Sequence, residues 1–324
     1  MRHSTSPERP PEATLPISRR ILSLVSTPPL SSVAGSLREV DMRVRGLGAA
    51  GVIAAAGVGG VLAYTVARVQ GRAAGDVSAY LSGSPARERP VVVVGASIVR
   101  GRASVDFVQI LRERLSSRDF VNGGVNGNVA WELLQRIDPV VACRPAQVVV
   151  LVGTNDVQST LTPDAMREAR ESKGLPEDPS LGWYAACMTE IVTRLQGGGA
   201  RVAVCSLPPI GQDLAAPVNV VVREANAALR GVCEATGAAY LPVYEHLVDL
   251  LASQGATRGP AWTGSWAPGV ASLVEHFVLG RSYDAIALAR GWILSPDGVH
   301  MDSTGAGIIA DVVAEWLESQ LSTE

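Results

Sequence analysis

From Val91 to the C-terminus, short apolar runs alternate with segments of helical periodicity. Val91–Val94 is a continuous β-branched run, which is typical of a strand buried on both faces of a sheet. Phe107–Leu115 then repeats apolar residues at the spacing of an amphipathic helix. Further strands are predicted at Phe120–Val121, Val148–Val152, Val202–Cys205 and Ala239–Val243, and further helices at Val129–Ile137, Leu181–Leu195, Val218–Ala235 and Thr304–Leu321. This alternation predicts an α/β fold, with a parallel sheet covered by helices on both faces.

The N-terminal part has a different pattern. Residues 1–45 are rich in Pro, Ser and Arg without sustained periodicity, so we expect a disordered tail. Residues 46–67 carry no charge, and a run of about 20 mostly apolar residues is long enough to span a bilayer. We predict a transmembrane anchor or signal-anchor there, with a buried or surface helix or a signal peptide as the alternatives. Residues 68–90 are predicted to be a linker, and residues 91–324 the globular domain.

The flanks of the uncharged run do not settle its orientation. Arginines both precede and follow it, so the positive-inside rule is nearly balanced. A chain starting at Met42 would have a short basic flank before the apolar run. We therefore expect a membrane protein with a single-pass N-terminal anchor, and a globular domain outside the cytoplasm.

Composition excludes some function classes. The net charge is -3 and the arginines are scattered, whereas nucleic-acid binding requires a clustered basic excess. Lys173 is the only lysine, which we interpret as a habit of genome composition. The four cysteines form neither a disulfide framework nor a metal-ligand spacing, so we expect buried thiols. The sequence predicts no cofactor and no metal.

In parallel sheets, active sites gather at the carboxyl ends of the strands. Ser97 follows the first predicted strand and begins the next helix, where backbone N–H groups and the helix dipole surround it. A nucleophile and a helix N-cap are both natural interpretations of this serine. The G-x-S-x-G motif of α/β-hydrolases is not matched, because Val99 occupies its last glycine position.

Glycine and amide residues follow the next two strands. The segment Asn122-Gly123-Gly124-Val125-Asn126-Gly127 follows the second strand, and its glycines permit either close backbone approach to a ligand or a plain turn. The segment Gly153-Thr154-Asn155-Asp156 follows the third strand. The amide of Asn155 is suited to donate to a developing oxyanion, although such residues also make turns.

Asp297 and His300 form the last motif. They stand three residues apart, so the carboxylate is able to hold the imidazole tautomer while the other ring nitrogen faces a nucleophile. The remaining histidines lack such a partner, and we expect them to be structural or solvated; they are His3, His246 and His276.

The order of these motifs resembles the four sequence blocks of the SGNH (GDSL-type) hydrolases, over the whole globular domain. The resemblance implies a three-layer α/β/α sandwich with a flavodoxin-like sheet. It implies that Ser97 is the nucleophile, His300 the general base and Asp297 the residue that orients His300. It also implies an oxyanion hole formed by the backbone N–H groups of Ser97 and Gly127 and the side-chain amide of Asn155.

One position departs from the family pattern. The family's first block usually reads Gly-Asp-Ser, and Ala96 stands here in place of the aspartate, which removes a nearby hydrogen-bonding group. The predicted function is a serine esterase or lipase-like hydrolase that cleaves a small-molecule, lipid or carbohydrate ester through an acyl-enzyme. The alternatives are an acyltransferase at the same site and an inactive, membrane-tethered binding module, which Ala96 motivates.

Residues 247–294 make the chain longer than this fold requires. The segment contains Trp262, Trp266, Phe277 and Tyr283. Aromatic groups near a catalytic loop are suited to form a lid or an acyl pocket. An ordinary helical insertion with its own small core is the equally weighted alternative.

Overall fold

The computed structural model describes residues 49–83, 89–255 and 261–320, with side chains from residue 59 onward. Five strands form one sheet: β1 (Val91–Gly95), β2 (Phe120–Gly124), β3 (Gln147–Leu151), β4 (Arg201–Cys205) and β5 (Ala239–Leu241). All neighbouring strands are parallel, in the order β2-β1-β3-β4-β5. This is the flavodoxin-like order, in which ligands bind at the carboxyl ends of the strands.

Helices cover both faces of the sheet. In chain order they are α1 (Ala49–Gln70), α2 (Val77–Ser82), α3 (Ser97–Arg100), α4 (Phe107–Arg114), α5 (Ala130–Gln135), α6 (Ile137–Ala142), α7 (Thr154–Thr160), α8 (Pro163–Lys173), α9 (Leu181–Gly197), α10 (Pro217–Thr236), α11 (Val243–Ser253), α12 (Ala267–Phe277), α13 (Tyr283–Ala289) and α14 (Ser303–Ser319). Helices α5, α9 and α10 pack together, and α4, α11 and α14 form a second group. The predicted parallel α/β sandwich is confirmed.

The central strands of the sheet are buried. The four valines of β1 are at most 2% exposed, as expected for a strand between two helical layers. Pairing places Gly95 beside Gly124 on one side and Leu151 on the other. The carboxyl ends of β1, β2 and β3 therefore meet at the same edge, where the segments with candidate chemistry follow them.

Two predicted elements end earlier than the hydrophobic pattern indicates, and proline explains both. The helix predicted at Val129–Ile137 is divided into α5 and α6, because Pro139 has no N–H to continue the helical hydrogen bonds. The strand predicted at Ala239–Val243 ends at Leu241, because Pro242 cannot donate to the sheet. Val243 begins α11 instead.

The predicted membrane span lies mostly within α1. Within the described ranges of the chain, no helix is both long enough and apolar enough to cross a bilayer. The prediction of a transmembrane helix is therefore not supported. The described end of α1 contacts the globular domain, and Thr65 and Val69 are buried there. The predicted tail, residues 1–45, lies outside the described residues, and the membrane localisation stays a prediction.

The predicted linker, residues 68–90, contains ordered structure in its described part. Helix α2 forms there, and the Asn122 N–H donates to the Gly75 carbonyl over 3.0 Å, beside β2. Asp76 forms an isolated parallel bridge with Asn122. The segment that follows α1 is thus joined to the edge of the sheet.

Candidate active site

Ser97 stands where β1 passes into the short helix α3. The helix ends at Gly101, whose left-handed φ of 68° closes the turn. Gly124 lies against this turn, and a Cβ at that position would collide with the Arg100 backbone. A glycine at the end of the second strand is therefore required by packing, because it lets the turn that holds Ser97 lie directly on β2.

The structure brings Ser97, Asp297 and His300 together. His300 Nε2 lies 2.9 Å from Ser97 Oγ, and His300 Nδ1 lies 2.7 Å from Asp297 Oδ2. The other carboxylate oxygen, Oδ1, accepts the backbone N–H groups of Val299 and His300, each over 2.9 Å. Asp297 therefore binds the imidazole ring and the backbone of the same turn.

A nearby serine, which the sequence interpretation missed, organises this turn. Ser295 Oγ accepts the backbone N–H groups of Asp297 and Gly298, over 3.2 and 2.7 Å, and its hydroxyl lies 3.3 Å from Asp297 Oδ1. Gly298 has a φ of 89°, which glycine adopts without strain. The available signal was a serine two residues before the aspartate, since such serines often bond the backbone of turns.

The charges of the buried pair are set by their contact. Burial works against the Asp297 carboxylate, but the charge and hydrogen bonds of His300 outweigh it and hold the pKa of Asp297 below its usual value. Burial also opposes the His300 imidazolium, but Asp297 outweighs it and raises the pKa of His300 above 6.5. An ionised Asp297 holds a proton on Nδ1, which leaves the lone pair of Nε2 for Ser97.

Gly127 and Asn155 line one cleft of about 320 Å³. Gly127 adopts a left-handed φ of 72°, and the Asn155 amide donates to the Asn128 carbonyl over 2.9 Å. A smaller cavity, lined by Asp297 and His300, shares several lining residues with this cleft: Gln158, Trp262, Gly264 and Trp266. Gly127 and Asn155 therefore line a cleft that adjoins the cavity of Asp297 and His300, while their role as oxyanion donors stays a prediction.

The loop after β2 is held by Arg136, which the sequence interpretation did not single out. Its guanidinium donates to the carbonyls of Gly95 and Gly123, over 3.0 and 2.9 Å, and to Asn128 Oδ1 over 2.7 Å. Burial lowers the pKa of Arg136 to about 10, so the side chain stays charged at neutral pH. Arg136 thus joins the ends of β1 and β2, whereas the buried Ala96 offers no polar side chain there.

Asp156 supports the same loop from the start of α7. Both of its carboxylate oxygens accept the Ala130 N–H, over 3.0 and 3.1 Å. Burial raises the pKa of Asp156 to about 7, against the opposing effect of this backbone hydrogen bond. In the sequence, Asp156 is noticeable only as the neighbour of Asn155 in a turn-forming segment. That position does not indicate a partner 26 residues away.

Four aromatic residues were singled out in the predicted insertion, and they divide into two pairs. Trp262 and Trp266 line the cleft beside Asn155. Phe277 and Tyr283 pack against His276, with ring centroids 4.8 and 4.1 Å apart. The insertion therefore contributes one wall of the cleft, and elsewhere it packs aromatic rings against His276.

The cysteines are buried and free, and burial raises the pKa of the Cys143 and Cys187 thiols to about 11. In the described part of the chain, no group of His, Cys, Asp or Glu side chains is arranged to hold a metal ion.

The parallel sheet between helical layers and the contacts of Ser97, His300 and Asp297 are those of a serine-type hydrolase. The sequence profile described as the GDSL-like lipase/acylhydrolase family matches residues 92–267. The chain belongs to this family of ester hydrolases. Asp297 and His300 lie beyond the matched residues, so their assignment depends on the geometry given above.

Solved structures share the fold at low sequence identity. The acetyl xylan esterase AlAXEase is 17% identical, over 70% of this chain and 98% of its own, with a TM-score of 0.51. A catalytic mutant of an acetylxylan esterase from Geobacillus stearothermophilus is 16% identical, over 70% of this chain and 93% of its own, with a TM-score of 0.50. No curated protein matches the sequence.

Proposed function

We propose that this protein hydrolyses esters through an acyl-enzyme on Ser97. The observation that carries the proposal is the pair of contacts at His300, 2.9 Å to Ser97 Oγ and 2.7 Å to Asp297 Oδ2. A serine hydroxyl is a weak nucleophile until an adjacent base accepts its proton, and a base works best when a third group orients it. The three side chains have that order.

In the first step, Ser97 Oγ bonds to the ester carbonyl carbon and its proton passes to His300 Nε2. The tetrahedral intermediate then collapses, the bond to the alcohol oxygen breaks, and His300 returns the proton to that oxygen. A water molecule repeats the sequence on the acyl-enzyme and releases the carboxylic acid. Asp297 keeps its charge throughout and stabilises the imidazolium formed in each half-reaction.

Negative charge develops on the carbonyl oxygen of the intermediate. In the proposed mechanism, the backbone N–H groups of Ser97 and Gly127 and the amide of Asn155 donate to it. Donors held in place before the reaction stabilise such charge without reorganisation, and one donor contributes about 10²–10³ in kcat. The support is that Gly127 and Asn155 line one cleft, which adjoins the cavity lined by Asp297 and His300.

The size of the cleft favours a small substrate. About 320 Å³ is at the lower end of the range for ligand pockets, roughly 300–1,000 Å³. Trp262 and Trp266 line the cleft together with polar side chains such as Gln158 and Thr162. We propose a short acyl group on a polar alcohol of about the size of a sugar, and the acetyl xylan esterases among the structural neighbours accord with that class.

A fluorophosphonate probe tests the chemistry, because it bonds covalently to an activated serine. We expect intact-mass spectrometry to show one adduct on the wild type and none on Ser97→Ala, with equal melting temperatures. A wild type that does not react would favour the inactive binding module. Nitrophenyl esters of increasing acyl length, with and without an added polar alcohol as acceptor, then separate hydrolysis of short esters from acyl transfer.

A further inference from the structure

Lys173 ends α8 with its ammonium between two acceptors. Nζ donates to the Gly127 carbonyl over 2.6 Å and to Glu132 Oε2 over 2.9 Å. The Lys173 side chain is 15% exposed and that of Glu132 21%, so water screens the pair only partly. Gly174 follows with a left-handed φ of 60°, which ends the helix at this lysine.

Glu132 extends the contact along the loop. Its Oε2 also accepts the Val129 N–H over 3.0 Å. The intervening carbonyl, that of Asn128, is held by the Asn155 amide. Three consecutive residues from Gly127 are therefore fixed by side chains, two of which come from distant segments, and Lys173 provides the first of these bonds.

We infer that Lys173 is a positioning residue of the oxyanion hole, an inference that rests on the proposed function. Its bond to the Gly127 carbonyl fixes the conformation of a glycine that has few steric restraints of its own. The Gly127 N–H is thereby aimed at the place where the oxyanion forms. Without Lys173, binding of the uncharged substrate changes little, but stabilisation of the tetrahedral intermediate is lost.

The identity of the residue accords with this role. Lys173 is the only lysine of the sequence, and all the other Lys or Arg positions are arginines. An ammonium is compact and directs three donors around one nitrogen, whereas a guanidinium is a wide planar fork. The close approach of Nζ to both a backbone carbonyl and a carboxylate suits the smaller group.

Lys173→Met tests the inference, because it keeps the length of the side chain and removes the donor. We expect kcat on a short ester to fall by about 10- to 100-fold, below the full loss of an oxyanion donor, with KM within about twofold. The inhibition constant of a boronic acid, which forms a tetrahedral adduct with the serine, should rise by the same factor as kcat falls. The matched control is Arg170→Met on the same helix, since Arg170 pairs with Asp178 at the surface.

A purely structural role would lower the melting temperature of Lys173→Met and leave kcat and boronic acid affinity unchanged, which would overturn the inference. A wild type that neither reacts with the fluorophosphonate nor hydrolyses esters would overturn the proposed function as well. If Lys173→Met does not fold, Lys173→Gln replaces it, because the shorter, uncharged side chain cannot reach both acceptors. We expect the same loss of kcat, and a Lys173→Gln variant that folds and keeps the wild-type kcat would overturn the inference.

Discussion

The candidate site has two halves that the chain builds in different ways. On one side, Asp297 and His300 are bonded mainly to each other and to the turn that contains them, residues 295–300. Other segments supply Ser97 and hydrogen bonds to two carbonyls of this turn. On the other side, the loop after Gly127 is held by side chains from distant helices, among them Lys173 and Asp156. The base is thus organised locally, whereas the oxyanion donors depend on long-range contacts. Variants in the first half should remove the chemistry, and variants in the second should weaken it in steps.

The largest effects are expected from His300 and Asp297. His300→Ala removes the base and should lower kcat by about 10⁶, and Asp297→Asn should cost about 10⁴ because the imidazole loses its orientation. The double variant should be about as impaired as His300→Ala alone, since the two residues act as one unit. Single-turnover kinetics on a nitrophenyl ester measure all three.

Thermal melting run beside these kinetics separates chemistry from folding. We expect His300→Ala to melt near the wild-type temperature, because Asp297 keeps its backbone bonds to the turn. Effects that add, or a rate that falls only in proportion to stability, would contradict the assignment of a catalytic unit.

Asn155→Ala should have an intermediate effect, lowering kcat by about 10²–10³ while KM changes little. The amide has a second task, because it also donates to the Asn128 carbonyl. Thr160→Ala on the same helix is the control, since the Thr160 hydroxyl bonds the local Val157 carbonyl. Equal losses of kcat in both variants would mean that helix α7, and not the amide, carries the effect.

The two halves also differ in how far the sequence predicts them. The strand ends near Ser97 and Asn155 followed from the apolar runs, and the spacing of Asp297 and His300 allowed a contact within one turn. The contacts of Lys173 and Arg136 were not predicted. Lys173 bonds Gly127, 46 residues away, and Arg136 bonds Gly95, 41 residues away, and no local periodicity encodes such contacts. The same limit applies to the segment before β1, whose Gly and Arg content resembled a linker while its backbone pairs with Asn122.

The pH dependence of kcat/KM is expected to show the charge state of His300. The neutral imidazole is the active form, so the rate falls as the pH drops through the pKa of His300, which Asp297 raises above 6.5. Asp297→Asn removes that charge, and burial then lowers the pKa, so the midpoint of the remaining activity should move below 6.5. Asp156→Asn is the control, because it removes a different buried group, a carboxyl whose pKa is raised to about 7, and should leave the midpoint in place.

The smallest effect is expected from the N-terminal segment, which contacts both halves. Arg100, three residues after Ser97, donates to the Gln70 and Gly71 carbonyls over 2.6 and 2.9 Å, and Asn126, next to Gly127, donates to the Val69 carbonyl over 3.0 Å. A chain that starts at residue 90 loses these acceptors. Hydrogen bonds to a charged donor contribute about 1.5–3 kcal/mol each, so the melting temperature should fall by several degrees. We expect kcat to fall less than tenfold, because Lys173 and Arg136 still hold the loop.

A chain that starts at residue 59 keeps the acceptors and should melt like the whole chain. Equal melting of both truncated chains would show that the segment does not stabilise the site.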